Sequence, residues 1–169
     1  MKHFWGWYNR HYALNVTLAA ALFALQIVHL LWLTFEPLWL AVFGDALLVL
    51  EKPWAWPLYL VDYTEIPALV TVSLVYLNEL RGAIRWRPLL FLLLLNSQWL
   101  HIFWITDEFV VATSEGDAAV GLPAWLAYVA LSIDYLELPV IVDTFTKMTA
   151  ALRARRLAAY LRKDVRDVY

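Results

Sequence analysis

A set of polar and ionisable residues occurs twice in this chain, with an offset of 72 positions and no insertion or deletion between the two copies. The leucine, valine and phenylalanine residues around the set differ between the copies, whereas the polar residues recur. Because polar groups are costly in apolar surroundings, we infer that the recurring residues share a site. The recurring pairs are Gln26 and Gln98, His29 and His101, Trp32 and Trp104, Thr34 and Thr106, Glu36 and Glu108, Asp62 and Asp134, Tyr63 and Tyr135, Glu65 and Glu137, and Pro67 and Pro139.

The ligand-forming members of this set are histidines and carboxylic acids, the inventory of dinuclear iron or manganese centres in four-helix bundles. Two divalent cations would neutralise four carboxylates, each of which costs at least ~2.5 kcal/mol to place inside a membrane. We therefore predict a centre of two divalent metal ions, with Fe, Mn or Zn as candidates. The predicted ligands are His29, Asp62, Glu65, His101, Asp134 and Glu137.

Helical spacing gives the carboxylates a common direction within each copy. Asp62 and Glu65 are three residues apart, as are Asp134 and Glu137, so each pair lies on one helix face. Soluble dinuclear proteins instead carry Glu-x-x-His on two helices. This chain therefore resembles them in the kinds of ligand and in their symmetrical arrangement, but not in the sequence motif. We expect the other polar residues to orient the ligands or to line the approach to them. These residues are Gln26, Glu36, Tyr63, Gln98, Glu108 and Tyr135.

The composition indicates the environment of this site. The chain has 169 residues, of which 63% are hydrophobic and ten are Trp, and this is outside the range of soluble domains. A membrane-crossing helix needs roughly 20 apolar residues. We predict an all-α integral membrane protein, a four-transmembrane-helix bundle with spans at about 13–34, 55–78, 88–111 and 122–146. A shorter apolar run at 38–50 is predicted to be an interfacial segment.

Two other recurring pairs have structural interpretations. Trp32 and Trp104 are interpreted as packing or interface anchors, to which no chemistry is assigned. Pro67 and Pro139 predict kinks in the second and fourth spans, because proline removes a helical hydrogen bond and frees backbone carbonyls.

The charges predict an orientation in the membrane. Lys and Arg residues concentrate before the first span, between the second and third, and after the fourth, so both termini are expected in the cytoplasm. The protein would lie in the inner, cytoplasmic membrane if its source is bacterial. Residues 1–169 form a single membrane domain with parallel repeats at about 13–78 and 88–146. The basic tail 147–169 predicts either an amphipathic helix on anionic lipid or a solvated segment.

Three stretches of the chain resemble the EXPERA superfamily, whose members include sterol isomerase-like proteins that bind emopamil. These stretches are Ile27 to Trp32, Ile66 to Pro88, and Leu138 to Asp143. The resemblance implies a membrane bundle of four to five helices with an intramembrane pocket for sterols or other lipids. It also implies an acid/base role for His29, whereas the acidic residues of the isomerases do not coincide with Asp62 or Glu65.

Several functions follow from these patterns. The first is a di-metal membrane oxidoreductase that acts on a lipid or quinone. The second is an EXPERA-like lipid-binding protein or isomerase without metal, in which His29 or His101 moves protons. The third is an ion or proton transporter, and a haem between the two histidines is a fourth. The polar residues could also hold the bundle together by hydrogen bonds alone.

The expected partners follow from the same composition. They are the lipid bilayer and a hydrophobic small molecule, with a homodimer as a further candidate and no nucleic acid.

Overall fold

A computed structural model describes residues 2–45, 47, 57, 60–61, 63–106 and 125–166, and all regular structure among them is helical. The prediction of an all-α protein is therefore confirmed for this part of the chain. The helices are α1 (Lys2–Arg10), α2 (Tyr12–Leu33), α3 (Trp39–Phe43), α4 (Glu65–Gly82), α5 (Trp86–Asn96), α6 (Gln98–Ile105), α7 (Trp125–Tyr135) and α8 (Leu138–Arg166), and a π-helical segment, Thr34–Leu38, joins α2 to α3.

The helices form four rods that pack side by side in chain order. The first rod is α2 with its continuation into α3, the second is α4, the third is α5 with α6, and the fourth is α7 with α8. The first rod packs against the second and the fourth, the second against the third, and the third against the fourth, which closes a ring. Three residues connect α4 to α5, so these neighbours run in opposite directions.

Interruptions divide the last two rods at short turns. Ser97 alone separates α5 from α6, and two residues separate α7 from α8. At the second turn the Leu136 amide donates to the Ile133 carbonyl at 2.9 Å, and the Glu137 amide donates to the Asp134 carbonyl at 3.1 Å. These bonds span three residues, as in a 3₁₀ turn. The turn lies immediately before Pro139, which has no N–H group and cannot continue the helical bonding pattern.

The second rod begins with an equivalent turn. The Thr64 amide donates to the Val61 carbonyl at 2.9 Å, and α4 starts at the next residue, two residues before Pro67. A turn therefore lies shortly before Pro67 and before Pro139, the two prolines at which the sequence predicts kinks.

The first rod extends beyond the predicted end of the first span. Its π-helical segment contains Pro37, and the helix then continues as α3 to Phe43. Gly44 ends it with a φ of 77°, a left-handed conformation that suits glycine. The described part of the predicted interfacial run is therefore largely a continuation of the first rod.

An apolar layer fills the middle of the bundle. On α4 it contains Val72, which lies between Glu65 and Tyr76 in sequence, and Val72 is fully buried. On α5 it contains Leu95, and on α8 it contains Val140, both equally inaccessible. Together with α2, these residues form one hydrophobic core. The members of the apolar layer are Val16, Ala19, Phe23, Leu69, Val72, Leu95 and Val140.

An ionic cluster closes the end of the bundle at which α4 joins α5. Asp143 on α8 is 7% exposed, and its carboxylate accepts hydrogen bonds from Arg87 on α5 at 2.8 Å and from the Tyr76 hydroxyl on α4 at 3.0 Å. Lys147 also pairs with Asp143 and lies 3.3 Å from the Glu79 carboxylate. We call these residues the Asp143 cluster. It ties three rods together at one end.

The described residues contain one helical segment, Tyr12–Glu36, that is both long and apolar enough to cross a membrane. Its most apolar window has a mean hydropathy of 2.1. The other predicted spans fall on rods that turns divide into shorter helices or that carry more charge, and parts of these spans lie outside the described residues.

We predict that Asp143→Asn lowers the free energy of unfolding by about 2 kcal/mol, because it removes the charged acceptor of buried Tyr76 and of two cations. Thermal unfolding followed by circular dichroism in detergent measures this loss. Thr149→Ala on the exposed face of α8 serves as the control and should change stability little. Equal stability of the Asp143→Asn and wild-type proteins would contradict the clamping role of the cluster.

Candidate metal centre

Three of the predicted ligands meet inside the bundle at the end opposite the Asp143 cluster. His29 on α2, His101 on α6 and Asp134 on α7 are buried, and one ligand atom from each lies within 4.8 Å of those of the other two. His101 Nδ1 is 3.1 Å from Asp134 Oδ1, and His29 Nε2 is 3.9 Å from Asp134 Oδ2. The two imidazole rings are 6.0 Å apart between centroids. Three different rods thus contribute to one group.

The spacing of this group suits a metal ion. Ligand atoms about 2.1 Å from one ion lie at most about 4.2 Å apart, so a contraction of less than about 1 Å would bring all three atoms onto it. Imidazole nitrogen and carboxylate oxygen are ligands for zinc, iron and manganese. The residues present therefore fit a divalent ion.

Two further predicted ligands lie beside this group. Glu65 at the start of α4 and Glu137 in the turn before α8 are each 3% exposed. Their side chains share a hydrogen bond, and Glu137 also lies within electrostatic range of Asp134 and His29. Two carboxyl groups in contact repel each other unless they share a proton or a cation. Three of the six predicted ligands therefore form one group, Glu137 lies within electrostatic range of that group and contacts Glu65, and Asp62 lies outside the described residues.

Some buried polar atoms of the centre have no hydrogen-bond partner within the described part of the chain. They are Gln98 Oε1, His101 Nε2 and Glu137 Oε2. Buried polar groups in folded proteins almost always have partners, so these atoms indicate a bound group such as an ion or a water molecule.

The two glutamines hold backbone next to the predicted aspartate ligands. Gln26 Nε2 donates to the Val61 carbonyl at 3.3 Å, and Gln98 Nε2 donates to the Ile133 carbonyl at 2.9 Å. Both donors and both acceptors are 72 positions apart. Each glutamine thus fixes the residue that precedes an aspartate.

Two tyrosines make a second pair of equivalent contacts, this time between the halves of the chain. The Tyr135 hydroxyl lies 2.8 Å from Thr34 Oγ1, and the Tyr63 hydroxyl lies 3.2 Å from Thr106 Oγ1. Each threonine donates its own hydrogen to a carbonyl four residues earlier, so each tyrosine is the donor to a threonine. Thr34 and Thr106 recur in the sequence, but sequence reasoning gave them no role.

Trp32 takes part in the centre, although the sequence suggested only an anchor. Its indole N–H donates to the Glu36 carboxylate, and its ring lies 5.8 Å from the His29 ring. Glu36 is therefore linked to His29 indirectly, by its hydrogen bond to Trp32 and the contact of Trp32 with the His29 ring. The signal that could have revealed this is the recurrence of Trp and Glu four residues apart, which places them on one helix face. The counterpart Glu108 lies outside the described residues.

We predict that Tyr63→Phe and Tyr135→Phe each lower the free energy of unfolding by about 1 kcal/mol, because each removes one partly buried hydrogen bond between the halves. Thermal unfolding of both variants measures the two losses. Tyr128→Phe on the exposed face of α7 is the control and should leave stability unchanged. A large loss in one variant with none in the other would contradict the equivalence of the two contacts.

No protein family, no characterised protein and no solved structure matches this chain in comparisons of sequence and structure.

Proposed function

We propose that this chain is an integral membrane metalloprotein whose helical bundle holds a centre of two divalent ions between histidine and carboxylate ligands. The observation that carries this proposal is the buried group of His29, His101 and Asp134, whose ligand atoms lie within 4.8 Å of one another. A buried histidine pair beside carboxylates needs a compensating charge or proton, and a divalent cation supplies that charge with the fitting ligand chemistry.

The arrangement of the carboxylates supports two ions rather than one. Glu65 and Glu137 occupy equivalent positions and share a side-chain hydrogen bond, so their carboxyl groups are close enough to hold a proton or a cation between them. His29 and His101 are likewise equivalent, and their rings meet edge to face with 6.0 Å between centroids. Each half of the chain thus offers one histidine and one glutamate. In this proposal Asp62 provides the sixth ligand.

Equivalent hydrogen bonds support an internal repeat. The glutamine contacts fall within each half, and the tyrosine contacts cross between the halves, yet both kinds are related by the same offset of 72 positions. Two parallel repeats about an axis along the membrane normal produce this pattern, because equivalent residues then lie at one depth.

The polarity of the bundle supports a membrane location. At the level of the centre the buried residues include polar and ionisable ones beside apolar ones such as Leu30 and Ile102, whereas neighbouring residues on the outside are large and apolar. Val28 and Leu31 flank His29 and are 50% and 51% exposed, and Leu100 beside His101 is 66% exposed. A surface of this kind needs a lipid environment, because soluble proteins rarely expose large contiguous apolar patches. In this proposal the four rods are the four spans.

Charge supports the orientation. The connection between α4 and α5 carries Arg81, Arg85 and Arg87 at the end of the bundle that holds the Asp143 cluster. By the positive-inside rule this end faces the cytoplasm, together with both termini. The metal centre then lies toward the opposite side.

The activity that we propose for the centre is an oxidoreductase reaction on a lipid or quinone. A pair of iron or manganese ions supplies oxygen activation or polarisation of a bound oxygen atom. The residues of this chain would hold the ions through His29, His101, Asp134, Glu65 and Glu137. The apolar exterior would admit a hydrophobic substrate from the bilayer.

A second candidate is proton transfer to a hydrophobic ligand without metal, as in EXPERA-like isomerases. The separation of 3.1 Å between His101 Nδ1 and Asp134 Oδ1 favours it, because a buried carboxylate this close to an imidazole can exchange a proton with it or stabilise its protonated form. Ion transport is less well supported, since the apolar layer separates the centre from the Asp143 cluster within the described residues.

We predict that purified protein contains close to two divalent ions per chain, and that His101→Ala and Glu137→Gln each reduce the bound metal by half or more, because ligands are lost. Elemental analysis by mass spectrometry measures the content. Glu79→Gln, which changes a carboxylate at the opposite end of the bundle, should keep the wild-type content. A folded wild-type preparation free of metal, which takes up none on addition of Fe, Mn or Zn, would exclude the metal centre and favour the second candidate.

The proposed topology can be tested by cysteine labelling. Because the chain contains no cysteine, an introduced cysteine is the only thiol that can react. We expect a cysteine introduced as Arg85→Cys to react with a membrane-impermeant maleimide only when the cytoplasmic face is open. A cysteine introduced as Ser114→Cys should react from the outer face, because the third connection lies outside in this topology. Labelling of both positions from the same face would contradict the four-span arrangement.

A further inference from the structure

The only two glutamines of the chain occupy equivalent positions, and both are buried. Gln98 is fully inaccessible to solvent, and its Nε2 atom donates to the Ile133 carbonyl at 2.9 Å across the interface between α6 and α7. A neutral amide of this size is costly to bury unless its hydrogen bonds are needed there. The position of the acceptor indicates what the bond does.

The Ile133 carbonyl belongs to the turn that separates α7 from α8. In an uninterrupted helix it would accept the amide hydrogen of Glu137, four residues later. Here Glu137 donates to Asp134 instead, and Ile133 accepts from Leu136 at 2.9 Å. Gln98 adds a second donor to the same carbonyl and so fixes the turn from the neighbouring rod.

The tight turn sets the direction of two ligands. In a turn of three residues, the side chains at positions i and i+3 align on one side. Asp134 and Glu137 hold these two positions. Relaxation of the turn to a regular α-helix would rotate them apart, to about 60° from alignment. By holding the turn, the hydrogen bond from Gln98 therefore helps to fix the direction of the Asp134 and Glu137 side chains relative to the histidines.

The remaining polar atom of the Gln98 amide is its oxygen. Gln98 is three residues before His101 and shares its helix face. Its Oε1 atom is buried and accepts no hydrogen bond within the described part of the chain. A buried carbonyl oxygen of this kind needs a donor, which water held at the centre would provide.

We propose that Gln98, and Gln26 in the equivalent place, are positioning residues of the metal centre. Their amide N–H groups hold the carbonyl that precedes each Asp-x-x-Glu pair, and in the second copy this bond keeps Asp134 and Glu137 directed at the ions. Gln98 Oε1 accepts a hydrogen bond from water at the centre. This inference rests on the proposed metal centre and specifies how its geometry is maintained.

Titration of the metal-free, full-length protein with Co²⁺ tests the inference, because Co²⁺ absorption in the visible range reports ligand number and geometry. We expect Gln98→Met, which keeps the size of the side chain, to weaken Co²⁺ binding by about 10- to 100-fold and to change the spectrum. Asn96→Met is the matched control, since Asn96 lies two residues away and is exposed, and its side chain bonds Ser73, the Leu92 carbonyl and the Trp99 indole, none of which belongs to the centre. It should bind Co²⁺ like the wild type.

A second measurement does not depend on metal. In the metal-free protein, Gln98→Met should speed amide hydrogen exchange at Leu136 and Glu137, because the turn loses its bond to the third rod. Gln26→Met should give the same loss of Co²⁺ affinity, and it carries the test if the Gln98→Met protein does not fold.

The outcomes separate this inference from the proposed function. Failure of the wild type to bind Co²⁺ would overturn the metal centre, while faster exchange in Gln98→Met protein would still support the hold on the turn. Unchanged Co²⁺ affinity and spectrum in a Gln98→Met protein of lower thermal stability would show a structural role only and would overturn the inference. Unchanged exchange at Leu136 and Glu137 would overturn it as well.

Discussion

The burial of ionisable side chains inside an apolar bundle is the constraint on which the rest of this structure depends. Two histidines and three described carboxylic acids are each at most 5% exposed, and ligand atoms of His29, His101 and Asp134 lie within 4.8 Å of one another. Uncompensated charges in such a place would cost several kcal/mol each. Several features of the structure reduce this cost. The helix breaks and the glutamine and tyrosine contacts fix the direction of the ionisable groups, and the proposed ions supply partners of opposite charge.

The two ends of the bundle meet the same cost in different ways. At one end Asp143 is fully paired with cations and a hydroxyl group of the chain itself, and Arg87 remains largely exposed to solvent. At the other end the described residues provide only histidines as cationic partners of the carboxylates, and Gln98 Oε1, His101 Nε2 and Glu137 Oε2 have no hydrogen-bond partner among those residues. A cluster in which every charged group is paired within the protein stabilises the fold. A cluster that leaves buried polar atoms without partners can bind a ligand. This contrast is why we assign function to the second end.

Much of the site could be predicted from the sequence, because recurrence marks residues that composition alone would not. The convergence of His29 with His101 and of Glu65 with Glu137 follows from helical spacing and a common depth, and the interruptions follow from Pro67 and Pro139. The role of Trp32 and the Asp143 cluster could not be predicted in this way. Trp32 was interpreted from the usual behaviour of Trp in such spans, and Asp143 has no counterpart in the first half. Its partners come from other rods, whose relative rotation sequence spacing does not fix.

The continuity of α8 has a mechanical consequence. This helix runs for 29 residues from Leu138 to Arg166, a length of about 43 Å, and starts directly after Glu137. A straight helix transmits displacement along its axis, since its hydrogen bonds resist stretching far more than a loop does. The basic tail and Glu137 therefore lie at opposite ends of one continuous helix. A lipid surface or a protein that tilted the tail would turn the helix about the Asp143 cluster and so move a carboxylate at the far side of the bundle.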